Sequence, residues 1–363
     1  MNYYVKETVF DETRNRTAAS KAREDVNRIA EEMGFAPIEV NYDYGLRKRK
    51  GFAHALRALT DEWKKAFSRV SGDDAILIQF PFNHHPLRVG KMIDDAHKNG
   101  TRVILLIHDI DSLRMNRSGI SGFCKYMFVR HEDRSILKRG DVVIAHNEQM
   151  ISVLAKKNYC RNCKALIPLQ IFDYLNFDFN ARDHGERSLS NPVVIAGTLR
   201  RGKADYVYKL PDNVRFNLYG VGYEGKPKEN IHYHGSFEPN ELLSCMEGSL
   251  GLVWDGDSPD GCEGLAGRYL AINNPHKTSL YLAAGFPVVV WSKAAIANFV
   301  RENECGITIE RLSELGNHLE ALSEAEYQSM SRRAMDISSD LCYGSFTKRA
   351  LTNALRALDE MTD

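Results

Sequence analysis

The chain has 363 residues, 43% of them apolar, 10% aromatic and 26% charged, which excludes a disordered, collagenous or coiled-coil protein. At roughly 100–200 residues per domain, this length predicts two domains. Forty-eight basic residues against 48 acidic ones leave a formal charge of zero, so no global field attracts nucleic acid and any anion site is local.

Residues 1–10 enter a Tyr/Val-rich run broken by Lys6 and Glu7, without the apolar core of a signal peptide. No run reaches the ~18 apolar residues of a membrane span, and a cytoplasmic protein is expected. Short β-branched runs at 3–8, 38–41, 75–80, 102–108, 141–145 and 165–167 alternate with amphipathic segments, the pattern of a parallel sheet covered on both faces. Between the first two runs, Ala22, Val26, Ile29, Ala30 and Met33 share one helical face, with Thr17 at its start and Gly34 at its stop. Arg47-Lys48-Arg49-Lys50 lead into Phe52, Ala53, Leu56, Leu59, Trp63 and Phe67, an amphipathic segment whose basic end is either solvated or a peripheral contact for an anionic membrane.

Polar residues follow the strands of this half, at Asn83-His84-His85 and His108-Asp109-Ile110-Asp111. A carboxylate or imidazole at a strand end can reach a substrate hydroxyl, so Asp109, and after it His108, are the candidate general bases. Glu7, Asp11 and His84 stand in reserve, and a plain turn cap is the alternative reading of His108-Asp109. Cys160 and Cys163 form a lone C-x-x-C among seven scattered cysteines, read as reduced thiols, with structural zinc as the alternative.

From 170 to 191 the periodicity gives way to a polar stretch spotted with aromatics, expected to link a first domain, 1–170, to a second, 192–340. In the second, strands are expected at 193–196, 215–219, 231–234, 250–254, 288–291 and 306–309, with helices at 240–246, 277–284, 295–302 and 324–338. A C-terminal segment, 341–363, carries a last helix, 346–361, with Phe346, Ala350, Leu351, Leu355, Leu358 and Met361 on one face, expected to pack back on the first domain. The fold class is α/β, two Rossmann-like doubly wound domains facing a cleft at their strand ends.

Three segments of the second half carry candidate chemistry. In Asn273-Asn274-Pro275-His276-Lys277, Asn274 suits a helix N-cap and Pro275 the first helical position, with Gly285 as the stop. Lys277 and His276 then sit in the first turn, where the macrodipole disfavours cations by ~0.3–1 kcal/mol unless an anion is bound; otherwise Lys277 points into water. Gly197-Thr198-Leu199-Arg200-Arg201-Gly202-Lys203 follows a strand and suits a diphosphate, although it is neither a dinucleotide fingerprint nor a P-loop; a solvated basic turn is the alternative. Asp255, Asp257, Asp260 and Glu263 make an acidic, Gly-rich loop without EF-hand spacing.

The run from Arg268 through Asn273-Asn274-Pro275-His276-Lys277 to Gly285-Phe286-Pro287 and on to Val300 resembles the signature of bacterial GT-B glycosyltransferases. That group includes β-1,6-galactofuranosyltransferases of polysaccharide assembly and glucosyltransferases that extend GlcNAc on serine-rich adhesins. The likeness spans nearly the whole chain, strongest over 268–306 and weaker at 17–35, 108–114 and 197–203. It implies a second domain that binds a UDP-sugar and a first that presents the acceptor, with no cofactor and no metal requirement. Carried over, Asn274 and Lys277 would contact the diphosphate or ribose, Arg200 the diphosphate and Thr17 the sugar end, while Gly197, Lys203, Tyr219, Asn273 and His276 complete the expected nucleotide-sugar site. The run from Arg268 to Val300 lacks the E-x7-E motif of retaining relatives. The expected activity moves a hexose to a saccharide, lipid-linked or glycopeptide acceptor, in a homo-oligomer at the inner face of the membrane. A nucleotide-sugar epimerase of the same fold and a non-catalytic partner subunit are the alternatives.

Overall fold

The computed structural model describes residues 1–10, 18–115, 118–184 and 187–360, so Asp11, Thr17 and Met361 lie outside the described residues. The chain divides into two compact units. One comprises 1–15, 23–169 and 347–363, the other 16–22 and 170–346.

The first unit holds β1 (Asn2–Phe10), β2 (Ala36–Asp43), β3 (Ala75–Phe80), β4 (Arg102–Ile107), β5 (Val142–Ala145) and β6 (Ala165–Pro168), in the order β2-β1-β3-β4-β5-β6 with every pairing parallel. All of β3 is buried, and all of β4 past Arg102, because helices cover both faces; hence the continuous apolar runs. Of the stripe expected on helix Ala18–Glu32, Ala22, Val26, Ile29 and Ala30 are buried. Gly34, at φ 84, ends the helix, with Phe35 N donating to Ala30 O at 2.9 Å.

Helix Phe52–Phe67 buries Leu59, Trp63 and Phe67, whereas Phe52 stays 61% exposed under the Arg47 guanidinium. Helix Ser345–Asp359 adds the buried Ala350, Leu351, Ala354 and Leu358. Its part in the first unit is tied down by ion pairs from Lys348 to Glu32 and from Arg102 to Asp359. The expectation of a final helix returning to the first domain agrees with this.

The second unit holds β7 (Val193–Thr198), β8 (Phe216–Val221), β9 (Ile231–Tyr233), β10 (Gly251–Val253), β11 (Val288–Trp291) and β12 (Gly306–Ile309), again parallel, in the order β12-β11-β10-β7-β8-β9. The stretch expected as a linker packs into this unit's core: Ile171, Tyr174, Phe179 and Ala181 are buried in it. Arg187 is buried as well, its guanidinium 3.9 Å from the Phe286 ring and donating to Ala284 O. The aromatic spotting is therefore core composition. Among the described residues no helix is long and apolar enough to cross a membrane.

Candidate active site

In the second sheet the chain order reverses between β7 and β10, which share the single register pair Gly251↔Val194. Ligands of open α/β sheets bind outside the strand ends at such a reversal. Gly197, exposed at φ 130, is the last residue but one of β7 there, and Trp254 and Asp255 follow β10. Lys277, in the first turn of helix His276–Ala283, reaches across this opening. Its Nζ donates to Trp254 O and to Asp255 Oδ1, both at 2.9 Å, and a Cβ on Gly197 would lie 3.7 Å from its Cε. The cation that the helix dipole disfavours is thus held by a carboxylate and does not point into water. Burial would lower its pKa, but Asp255 outweighs burial and the net shift is upward.

The helix start differs by one residue from the expectation. Pro275, at φ −72 and ψ 135, is the cap residue, and Asn274 is buried with its Nδ2 donating to Gln170 O at 2.7 Å. Around this start, Asn273 Oδ1, both His276 ring nitrogens, Thr278 Oγ1 and Ser279 Oγ are shielded from solvent without a hydrogen-bond partner among the described residues. Such groups are nearly always satisfied in folded proteins, so four side chains of this kind at one helix start are unusual.

Arg200 and Lys203 are exposed on the turn after β7 and pair with no carboxylate among the described residues; Arg201 lies 4.0 Å from the Tyr208 ring. Tyr219 departs from its expected binding role. It is 1% exposed, its hydroxyl accepts from Glu247 N at 3.0 Å, and its ring stacks on His234 at 4.5 Å, so it supports the sheet and presents no surface to a ligand. The acidic loop is dispersed, and among the described residues no three His, Cys, Asp or Glu side chains converge on a metal position.

In the first sheet the order reverses between β1 and β3, which pair only over Asn2–Tyr4. Beyond that point stands Glu7, whose Oε2 accepts from Asn83 N at 3.0 Å and whose Oε1 is 3.6 Å from Arg23. Arg23 donates to Pro81 O. Gln79 ties the neighbourhood together: its Nε2 donates to Asn27 Oδ1 at 2.7 Å, and its Oε1 lies 2.6 Å from His108 Nε2, which therefore carries the proton. Asp109 Oδ2 accepts from Arg114 at 2.8 Å. The expected pair is thereby split, His108 joining the Gln79 network and Asp109 an ion pair.

The Glucosyltransferase 3-like N-terminal domain model matches residues 2–167, and the C-terminal domain model of the same family matches residues 193–354. Beta-1,6-galactofuranosyltransferase WbbI of Escherichia coli (strain K12) is 36% identical over 257 residues, covering 70% of this chain and 71% of that protein. The chain belongs to the Glucosyltransferase 3-like family. It is a glycosyltransferase. Glucosyltransferase 3 of Streptococcus gordonii is 26% identical over 342 residues, 92% of this chain and 93% of that one. Among solved structures, sucrose-phosphate synthase from Thermosynechococcus elongatus superposes with a TM-score of 0.62 at 12% identity over 99% of both chains, and T4 phage β-glucosyltransferase with 0.54 at 10% over 99% and 100%. At these identities the likeness is one of fold, the two-domain α/β GT-B fold.

Two of this glycosyltransferase's histidines make its folding acid-sensitive. Burial pushes His276 down to about 4, with Lys21 adding to it, and burial pushes His146 to about 4 as well, from an ordinary 6.5. Below pH 6.5 the unfolded chain takes up protons that the folded protein refuses. The share of stability carried by these two histidines is therefore complete above pH 6.5 and lost as the pH falls toward 4. The expected loss is up to ~3 kcal/mol per histidine, read for His276 as the difference between wild type and His276→Phe in urea unfolding at pH 7 and pH 4.5, because Glu7, raised to about 7, shifts the wild-type stability the other way. His276→Phe should remove its share, and an unchanged pH dependence in that variant refutes the assignment.

Proposed function

We propose that this glycosyltransferase moves a hexose, namely glucose, galactose or galactofuranose, from a UDP-sugar to a saccharide hydroxyl in cell-surface polysaccharide or glycoprotein glycan assembly. The observation that carries the donor assignment is the group of unsatisfied polar atoms on Asn273, His276, Thr278 and Ser279, at a helix start that also bears Lys277. A nucleoside diphosphate supplies acceptor oxygens for the Thr278 and Ser279 hydroxyls and for the one N–H of a neutral His276, its ribose hydroxyls supply donors for Asn273 Oδ1, and a helix N-terminus favours the diphosphate charge. Gly197, lacking a side chain, lets the diphosphate approach the strand end, and Arg200 and Lys203 bring cations that no carboxylate among the described residues claims. As the bond to the sugar breaks, negative charge grows on the leaving diphosphate, and fixed cations stabilise it. The names of the relatives support hexose transfer of this kind. In this reading the first unit takes the saccharide, lipid-linked or glycopeptide acceptor near the end of β4, at His108 and Asp109. The reading extends to a homo-oligomeric cytoplasmic enzyme with its basic Arg47-Lys48-Arg49-Lys50 segment against the anionic inner face of the membrane.

Thermal unfolding with UDP-, GDP- and dTDP-sugars tests the donor. A ligand at ~100 times its Kd adds ~2.7 kcal/mol to stability, so a rise in Tm confined to UDP-sugars is expected. The same rise with GDP- or dTDP-sugars, or none with any, overturns the UDP assignment.

A further inference from the structure

We propose that Glu7 is the group that takes the proton from the acceptor hydroxyl. The inference rests on the transferase reading above and names the base on its acceptor side. Position is the first ground. Past Tyr4, β1 leaves β3 and runs beside β2 alone, so Glu7 stands at the crevice where the strand order reverses, the counterpart of the Lys277 position in the second sheet.

The second ground is how loosely the carboxylate is held. Its side chain is only 9% exposed, and a carboxylate buried for structure alone is expected to have both oxygens closely paired. Among the described residues, Oε2 has one backbone N–H, while Oε1 has only Arg23 at 3.6 Å, beyond hydrogen-bond distance, and Arg23 spends a donor on Pro81 O. Lone pairs on Oε1 are thus available to an incoming hydroxyl. Of the neighbouring candidates, His108 donates its Nε2 proton to Gln79, and Asp109 Oδ2 accepts from Arg114, an ion pair that favours its charged form. Burial raises the Glu7 carboxyl to about 7 against the opposing pull of Arg23 and the Asn83 N–H, which suits a group that must accept a proton near neutrality. Arg23 is the charge that faces Glu7 among the described residues, and Asp109 acts on Arg23 in turn.

In the step, the acceptor O–H bond breaks and its proton passes to Glu7. The oxygen forms a bond to the anomeric carbon, and the bond from that carbon to the diphosphate oxygen breaks with its electron pair leaving on UDP. The products are the glycoside, UDP and a protonated Glu7 that returns its proton to water.

Glu7→Gln keeps the shape and an acceptor for Asn83 N–H but cannot take a proton. It is expected to lower kcat by ~10²–10⁴-fold with UDP affinity within twofold of wild type. In the wild type, kcat/KM should fall as the pH drops through about 7, because protonated Glu7 is inactive. Glu7→Asp should restore part of the rate with this limb moved to lower pH. Should Glu7→Gln fail to fold, the Glu7→Asp profile still decides: a moved limb supports the base, and an unmoved one overturns it. Wild-type kcat in Glu7→Gln at saturating acceptor also overturns it, and a collapse in Asp109→Asn would then place the base there. A wild-type enzyme that releases UDP from no UDP-sugar in the presence of saccharides sinks the transferase reading itself, a different result from an active wild type with an active Glu7→Gln.

Discussion

Lys277→Ala is expected to lower kcat/KM by roughly 30- to 1,000-fold, the loss of ~2–4 kcal/mol of transition-state stabilisation that a charge-assisted contact to a developing diphosphate anion supplies. From the sequence, removing a cation from a first helical turn should leave folding untouched or slightly improved. The structure reverses that part. Lys277 Nζ makes two hydrogen bonds in a half-buried setting, and its removal leaves Asp255 without its cation. The ligand-free protein should therefore lose ~1–3 kcal/mol of stability as well. Since activity and Tm then fall together, the deciding measurement is UDP affinity of the folded fraction. A clear loss supports the donor site, whereas unchanged affinity with unchanged kcat/KM per folded molecule leaves Lys277 a purely structural partner of Asp255.

Gly220→Ala should be still more damaging to the fold. Gly220 has φ 137, and a Cβ there would lie 1.7 Å from Gly197 O, so β8 has to move away from the end of β7. Backbone cannot yield as a flexible side chain can. A loss of about 4 kcal/mol or more is expected, a fall in Tm of roughly 8–16 °C for a unit of this size, together with UDP affinity, because Gly197 borders the donor position. Gly202→Ala is the control. Gly202 is also at positive φ, 77, but a Cβ there meets nothing within 4 Å, so only conformational strain of ~1–2 kcal/mol should appear. Calorimetry on the two variants separates the effects, and equal small shifts would refute the close strand approach.

Much of the fold is local and was legible. Strands β3, β11 and β12 stand where short apolar runs predict them, the stop at Gly34 follows from a helical stripe running out, and the start near Asn274 follows from cap and proline chemistry. These features depend on neighbours within one or two turns, whose periodicity and backbone preferences are written in consecutive residues. The residues around the two strand-order reversals depend on something else. Lys277 meets Asp255 from 22 positions away, Asn274 meets Gln170 from 104, and Glu7 meets Asn83 from 76. Asp255 read as part of an acidic loop, Glu7 as a polar break in a strand and a base held in reserve behind Asp109 and His108, and Tyr219 as a ligand contact, although sheet packing buries it. Spacing along the chain carries no record of which strand ends become adjacent. The order of parallel strands decides it, and with it which carboxylate loses its water, which cation answers it and which hydroxyl is left without a partner.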